Sequence, residues 1–250
     1  MKRILRWLAS KFPLRQQARF VAWLLPNRYW YRGALAITRL QGALVGLLGG
    51  NRKLTEAVML DHWLFELTVV GAFPIPYVVN GLDIIQTGDE KIGTLYCWIH
   101  EPLVEFPVRT LVDLGRIKIV VVADPGRIVD GDQFLVVGTS IRLMAIPNLH
   151  YVLGRVKSAL LNGVSVECLI NEYMAGPIYP QVLRLAGRIG ARVVFGSALR
   201  RPDDTIEVNL MKPPRPDCET EEAVQENLAY LRAAEERMLR EFGLLDQETT

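Results

Sequence analysis

Three apolar runs, each followed by polar or turn residues, constrain the fold of this chain more than any other feature. They occupy residues 93–99, 117–123 and 164–170, and each is seven residues long. Short apolar runs rich in β-favouring residues predict buried strands. Because segments with helical periodicity alternate with these runs, we expect an α/β fold, with a mixed, largely parallel sheet flanked by helices.

The segments between and after these runs also carry clear boundaries. Glycine or proline ends most of them, as is typical of helix and strand termini. Strands are predicted at 134–137, 141–146, 192–199 and 205–211, with the last two forming a hairpin around residues 202–204. Helices are predicted at 54–70, 102–114, 149–161, 179–189 and 221–242, and a short helical or turn segment at 80–90.

The first 53 residues differ sharply from the rest in charge. They contain eleven lysines and arginines, and the first acidic residue of the chain is Glu56. The other 18 basic and 27 acidic residues leave the remainder at a net charge of −9. We therefore divide the chain into a basic helical arm at 1–53 and an α/β domain at 54–250. A basic arm on an acidic body indicates an anionic partner surface.

Aromatic residues in this arm favour a membrane over a nucleic acid. Indole and phenol rings prefer the headgroup level of a bilayer, and cations there meet anionic lipid. No nucleic-acid-binding module follows, so no nucleic acid is expected as a partner. The alternative is a set of amphipathic helices that dock on the body through their aromatic faces. The aromatic residues are Trp7, Phe12, Phe20, Trp23, Tyr29, Trp30 and Tyr31.

The arm is expected to lie on a membrane and not to cross it. Its longest apolar stretches, 20–26 and 40–50, are about half of the ~20 residues that a crossing needs. The first 13 residues alternate charged and apolar groups, unlike a secretory signal. Three scattered cysteines fit the reducing cytoplasm. We expect a peripheral protein on the cytoplasmic face of the inner membrane.

Neither the cysteines nor the histidines are spaced like the ligands of a metal. Cys97, Cys168 and Cys218 form no CxxC pair, and the three histidines are equally scattered. No metal site and no resident cofactor are therefore predicted.

Polar residues follow the three apolar runs where the strands are expected to end. They are His100, Asp124 and the pair Asn171 and Glu172. Sites in open α/β sheets gather at the carboxyl ends of strands. If the three strands share one edge of the sheet, these polar groups converge there.

His100 and Glu105 form the candidate catalytic pair. A histidine just before a helix, with a carboxylate on its first turn, allows the carboxylate to hold one ring nitrogen while the other faces the substrate. The carboxylate then fixes the tautomer and supports the imidazolium that forms on proton uptake. The alternative is a buried structural histidine beside a solvated or ion-paired glutamate.

Residues 93–122, read as strand, His-x4-Glu, helix and strand, resemble the first motif block of the lysophospholipid acyltransferase superfamily. The branch that they resemble most is that of the lipid A biosynthesis (lauroyl/myristoyl) acyltransferases. The likeness continues through GRVKSALLNGVSVECLIN at 154–171, YPQVLRLAGRIGARVVFGSALRRPDDTIEVNLMKPP at 179–214 and the terminal helix with Gln225, Asn227 and Leu228. In all, it covers residues 55–242. Pro102, Val104 and Asn171 depart from the family pattern.

This resemblance implies an O-acyltransferase of lipid biosynthesis that moves a fatty acyl chain to a hydroxyl of a lipid or glycolipid acceptor. The donor would be a thioester of acyl-carrier protein or coenzyme A. His100 would be the general base and Glu105 its orienting group. Arg142 is the candidate cation that stabilises the oxyanion, and Arg127 is a second candidate for the same role. Asn171 and Glu172 complete the expected substrate site. Arg142 could equally be an ordinary surface arginine.

Three rivals remain. A thioester hydrolase would use the same pair to activate water. A catalytically silent lipid-binding or scaffold protein would share the fold and dispense with His100. A nucleic-acid-binding protein would use the basic arm, with strongly salt-sensitive binding.

Overall fold

The structure is a computed structural model, and it describes the backbone of about two thirds of the chain in several ranges. Side chains are not described at 64–70, 119–121, 134–136, 142–144 and 149–152. The described residues are 20, 29–70, 77–85, 91–99, 102–104, 106–107, 110–111, 114–116, 119–121, 134–136, 142–144, 149–170, 178–216, 218–241 and 243. The chain divides into two compact units, residues 1–76 with 137–139 and residues 77–136 with 140–250.

The first unit contains a helical hairpin. Helices α1 (Trp30–Leu47) and α2 (Arg52–Val70) are joined by a short turn. The side chain of Asn51 caps α2, because its Oδ1 accepts a hydrogen bond from the backbone N–H of Leu54 at 3.0 Å. Gly42 of α1 faces Glu56 so closely that a methyl group there would approach its Oε1 to 2.9 Å. The small residue therefore lets the two helices pack tightly.

This hairpin changes the interpretation of the basic arm. Trp30 and Tyr31 are buried, so these two rings are not available to a membrane surface, while Tyr29 is exposed. Residues 1–19 and 21–28 lie outside the described residues. The predicted boundary at 53/54 falls within α2, and the two compact units separate after Pro76. Among the described helices, none combines the length and apolar character needed to cross a bilayer.

The second unit is built on a six-stranded sheet. The described residues form eight strands: β1 (Tyr77–Asn80), β2 (Leu95–Trp98), β3 (Ile119–Val121), β4 (Phe134–Val136), β5 (Arg142–Met144), β6 (Val166–Leu169), β7 (Val193–Arg200) and β8 (Ile206–Met211). The strand order across the sheet is β1-β8-β7-β2-β6-β3, and β4 and β5 form a separate antiparallel pair.

Strand direction in this sheet is mixed and mostly parallel. β7, β2, β6 and β3 run parallel to one another, β8 pairs antiparallel with β7, and β1 pairs parallel with β8. The predicted α/β class with a mixed, largely parallel sheet is therefore confirmed. The hairpin of β7 and β8 turns at Asp204, whose φ is 68°, where predicted. Strand β1 was not predicted.

The helices of this unit also follow the sequence pattern closely. Within the described residues, four helices of this unit have assigned bounds: α3 (Leu82–Ile85), α4 (Leu149–Leu161), α5 (Gln181–Ile189) and α6 (Glu221–Glu241). Of these four, α3 is the shortest. Helix α5 ends at Gly190, which is left-handed at φ 67° and donates its N–H to the helix carbonyls.

One face of the sheet and three helices enclose the main hydrophobic core. Alternate residues of β2, β6 and β7 supply the sheet side of it, and α4, α5 and α6 supply the helix side. Because alternate residues of a strand point to opposite faces, this pattern fixes which side chains face the helices. The members include Leu95, Cys97, Ile99, Val166, Cys168, Ile170, Val193, Phe195, Val156, Leu160, Leu183, Ala186, Val224, Leu228 and Leu231.

Candidate functional site

The carboxyl ends of β2, β6 and β3 lie side by side at one edge of the sheet. Cys97, Cys168 and Val121 are register partners on these three parallel strands. The N–H of Ile170 continues the ladder, donating to the carbonyl of Trp98 at 3.1 Å. The three strands therefore end together, as the predicted convergence requires.

The register can be compared with the three polar positions of the sequence. His100, Asn171 and Asp124 each stand three residues beyond the row of Cys97, Cys168 and Val121. These three positions, together with Glu105 and Glu172, lie outside the described residues. The described strands thus lead to the same edge at matching distances along the chain, and the site itself stays a prediction.

A turn follows β2 where the sequence predicted the start of a helix. Pro102, Leu103 and Val104 form this turn and are buried, and the N–H of Phe106 donates to the carbonyl of Leu103 at 3.0 Å. Leu103 has a φ of 77°, which a helix does not admit. The prediction that Pro102 is the first helical residue was therefore wrong, because the left-handed backbone at Leu103 delays the helix.

The end of the same helical segment was predicted correctly. Residues 106–107 and 110–111 are helical, and Gly115 is left-handed at φ 66°. The N–H of Arg116 donates to the carbonyl of Leu111 at 2.8 Å, the bond that closes a helix when a glycine follows its last residue.

Trp98, the last residue of β2, is almost fully buried next to β7. Its ring stacks on Tyr96, with centroids 6.5 Å apart and planes 12° apart. The benzo edge of the indole covers Gly196, where any side chain would overlap it. Among the described residues, Nε1 of Trp98 has no hydrogen-bond partner. Leu95, Trp98, Leu103 and Phe106 are all buried.

Glu167 is a buried carboxylate that sequence reasoning missed. It lies in the middle of β6, level with Tyr96 of β2 and Val120 of β3. Its place in strand alternation puts it on the sheet face opposite the three helices. The pKa of the neighbouring Cys168 thiol is raised to about 12, mainly by burial and to a lesser extent by the charge of Glu167. An acid within an otherwise apolar strand was the available sequence signal.

The other predicted cations are only partly within the described structure. Arg142 begins β5 and pairs with Val136 of β4, and its side chain lies outside the described residues, as does all of Arg127. Arg201, in the β7–β8 hairpin, binds Glu207 at 2.6 Å.

The described residues hold no group of three or more His, Cys, Asp or Glu side chains arranged for a metal ion. Cys97, Cys168 and Cys218 are free thiols, all buried.

Comparison with known proteins leaves the family of this chain open. No family model matches it, and no curated protein does. Among solved structures, the pilus retraction motor PilT with bound ADP is similar over 67% of this chain and 62% of that chain, with a TM-score of 0.28 and 10% sequence identity. The chain thus spans less than two thirds of that protein, and so low a score carries no argument about fold or function.

Proposed function

We propose that this chain is a membrane-surface O-acyltransferase of the lipid A biosynthesis acyltransferase type, with His100 and Glu105 as its catalytic pair. One observation supports this most. The strands that lead to His100, Asn171 and Asp124 are adjacent, parallel and in register, and each polar position is three residues beyond the same row. Catalytic groups in open sheets stand beyond such strand ends.

The backbone between the pair gives further support. Leu103, midway from position 100 to position 105, is buried and left-handed. A non-glycine residue in that conformation costs on the order of 1–3 kcal/mol, and such strain concentrates at functional sites. The proposed reaction needs a carboxylate after this turn to orient an imidazole before it.

In the proposed reaction, His100 takes the proton of the acceptor hydroxyl as its oxygen attacks the thioester carbonyl. A tetrahedral intermediate forms, and its oxyanion needs donors from backbone N–H groups or from a cation such as Arg142. When it collapses, the carbon–sulfur bond breaks, and the imidazolium returns its proton to the leaving thiolate. The products are the acyl ester and free acyl-carrier protein or coenzyme A. Glu105 holds the ring and stabilises the imidazolium. No resident cofactor takes part.

The test is acyl transfer by purified variants together with mass spectrometry of cellular membrane lipids. His100→Ala and Glu105→Gln should each lower transfer, by on the order of 10²–10⁴-fold for His100 because a general base is removed. His62→Ala is the matched control, since His62 is exposed on α2 and bonded only within its own helix turn, to the Val58 carbonyl at 2.7 Å. Full activity is expected for it.

Each rival predicts a different result. Release of free fatty acid without transfer to added lipid would indicate a thioester hydrolase. If His100→Ala folds normally and no lipid species changes its acylation, the chain is a silent lipid-binding protein and the proposal fails.

A further inference from the structure

Helix α1 is apolar on two opposite faces, and only one of them is buried. Ala34, Leu35, Thr38 and Gly42 are buried on the first face. The other face carries Leu40, Leu44 and Leu47, here called the leucine tip, which are 62%, 45% and 84% exposed. Residues three and four apart share a helix face, so these leucines form one stripe towards the α1–α2 turn. A surface helix of a soluble protein normally places polar residues there.

Among the described residues next to the leucine tip in sequence, all the exposed charges are positive. Arg39 precedes the first leucine, and Arg52 and Lys53 begin α2 just after the turn; all three are exposed. The first acid of the chain, Glu56, is buried against Gly42 and bound by Arg52 at 2.7 Å. No acidic residue occurs before it. An exposed apolar stripe is therefore flanked by cations, with no exposed carboxylate nearby in sequence.

We propose that the leucine tip inserts into the surface of an anionic phospholipid bilayer. Leucine side chains gain free energy by leaving water for the acyl boundary, while flanking lysine and arginine meet lipid phosphates. This assigns membrane contact to the leucine tip, and not to Trp30 and Tyr31 at the start of α1, which are buried. The inference rests on the membrane-surface location in the proposed function and is independent of the acyl-transfer chemistry.

The hairpin can be probed without disturbing its packing, because the leucine tip lies opposite the buried face of α1. An environment-sensitive fluorophore is attached to a cysteine introduced by Leu47→Cys in the full chain. The three native cysteines are buried and do not compete for the label. Leu161→Cys is the matched control, since Leu161 is an exposed leucine, 49% accessible, near the end of α4.

With vesicles of phosphatidylglycerol and phosphatidylcholine, the emission of the fluorophore at position 47 should shift to the blue and become more intense. The emission of the fluorophore at position 161 should not change. Substitution of Leu44 and Leu47 by serine should weaken vesicle binding by at least about tenfold. Lys53→Gln should weaken it by about fivefold, and added salt should reduce that difference. Vesicles of phosphatidylcholine alone should bind more weakly.

Four results would overturn the inference. The first is no change in fluorescence at position 47 when the chain binds vesicles, and the second is no binding to anionic vesicles at all. The third is a fluorescence change with duplex DNA and none with vesicles. The fourth is a wild type that dimerises and a serine variant that does not, with equal vesicle binding, which would assign the tip to self-association. Acyl transfer to detergent-dispersed acceptor separates this inference from the proposed function. The serine variant should retain that activity, whereas His100→Ala should lose it and still bind vesicles.

Discussion

Gly196 is the residue on which the packing next to the candidate site most directly depends. It stands opposite Trp98 on neighbouring parallel strands, and the benzo edge of the indole occupies the space that a side chain would need. The obstructing ring belongs to Trp98, a large side chain that is only 1% exposed, so a methyl group at position 196 would displace either the ring or the backbone. The fit between strand and ring therefore requires glycine at this position.

Gly196→Ala should destabilise the protein by about 1–3 kcal/mol, because overpacked cores shift backbone and side chains. Since Trp98 precedes the candidate catalytic histidine by two residues, the same variant should also lower acyl transfer. Urea unfolding measures the first effect and the transfer assay the second. Gly154→Ala is the control: Gly154 lies in α4 with open space where a methyl group would stand. That change should stabilise the protein by about 0.5–1 kcal/mol. Equal stabilities for the two variants would contradict the packing argument.

Residue contacts of this kind were not predictable from the sequence. Trp98 and Gly196 are far apart along the chain, and their contact depends on the pairing of β2 with β7. The left-handed backbone at Leu103 was equally hidden, because leucine is not a residue that favours a positive φ. The buried Glu167 needed the register of three strands to be recognised. By contrast, His100 and Glu105 were proposed from local chemistry, which the sequence displays directly, and they remain a prediction.

At the scale of elements, α5 and α6 are joined by a charged contact at the surface. Arg184 of α5 donates from Nε and Nη2 to the two carboxylate oxygens of Glu221, at 2.9 and 2.7 Å. Glu221 lies in the first turn of α6, and Gln225 also donates to it, at 2.8 Å. The hydrogen bond from Arg184, followed by that from Gln225, lowers the pKa of Glu221 from 4.5 to about 2.

This contact should make stability fall in acid. The pKa of Glu221 is lower in the folded chain, so its contribution is present above about 4.5 and is lost as pH falls towards 2. The melting temperature of the wild type should therefore drop more steeply over this range than that of Glu221→Gln. Glu222→Gln, which removes a charge from the same helix turn, should keep the wild-type slope. High salt should reduce the difference, because the pair is exposed. Parallel curves for the wild type and Glu221→Gln would refute the assignment.

Elements were largely predictable where hydrophobic runs and stop signals coincide. Helix α4 was expected at 149–161 and is observed at Leu149–Leu161, and Gly190 ends α5 as glycine commonly does. Strand β1 was missed because Tyr77–Asn80 is a short edge strand just after two prolines, and its pairing partner β8 is distant in the chain. Asn227, noted in the sequence only for its family-like position, is buried and binds the backbone of Arg215 at 2.7 and 3.0 Å. Its role is to fix the segment that leads into α6.

For the whole second unit, the sequence indicated a largely parallel sheet but not the order of its strands. Sheet order depends on long-range pairing, which local patterns do not encode. That order brings two of the three cysteines together: Cys97 and Cys168 are register partners in the helix-covered core, and Cys218 bonds with Asn227 nearby. Burial, then the neighbouring Cys168, Cys218 and Glu167, raise the pKa of Cys97 well above its ordinary value.

These buried thiols should make global stability fall in alkali. The pKa of Cys168 is about 12 in the folded chain, against an ordinary value of 9.0. Between these two pH values, the thiol therefore loses its proton only in the unfolded chain. The contribution is complete below pH 9.0 and decreases above it, by about 1.4 kcal/mol per pH unit for each such thiol. Urea unfolding under reducing conditions, at several pH values above 9.0, measures the slope. Cys168→Ala should lower stability by a fixed amount below pH 9.0. Above pH 9.0 it should reduce the slope by about 1.4 kcal/mol per unit, so that its difference from the wild type shrinks as the pH rises. Because the same tyrosines and lysines titrate in the wild type and in the variant, their contributions to the two slopes cancel. An unchanged slope would mean that Cys168 ionises in the folded core, and that the packing of the sheet against α4, α5 and α6 is looser than described.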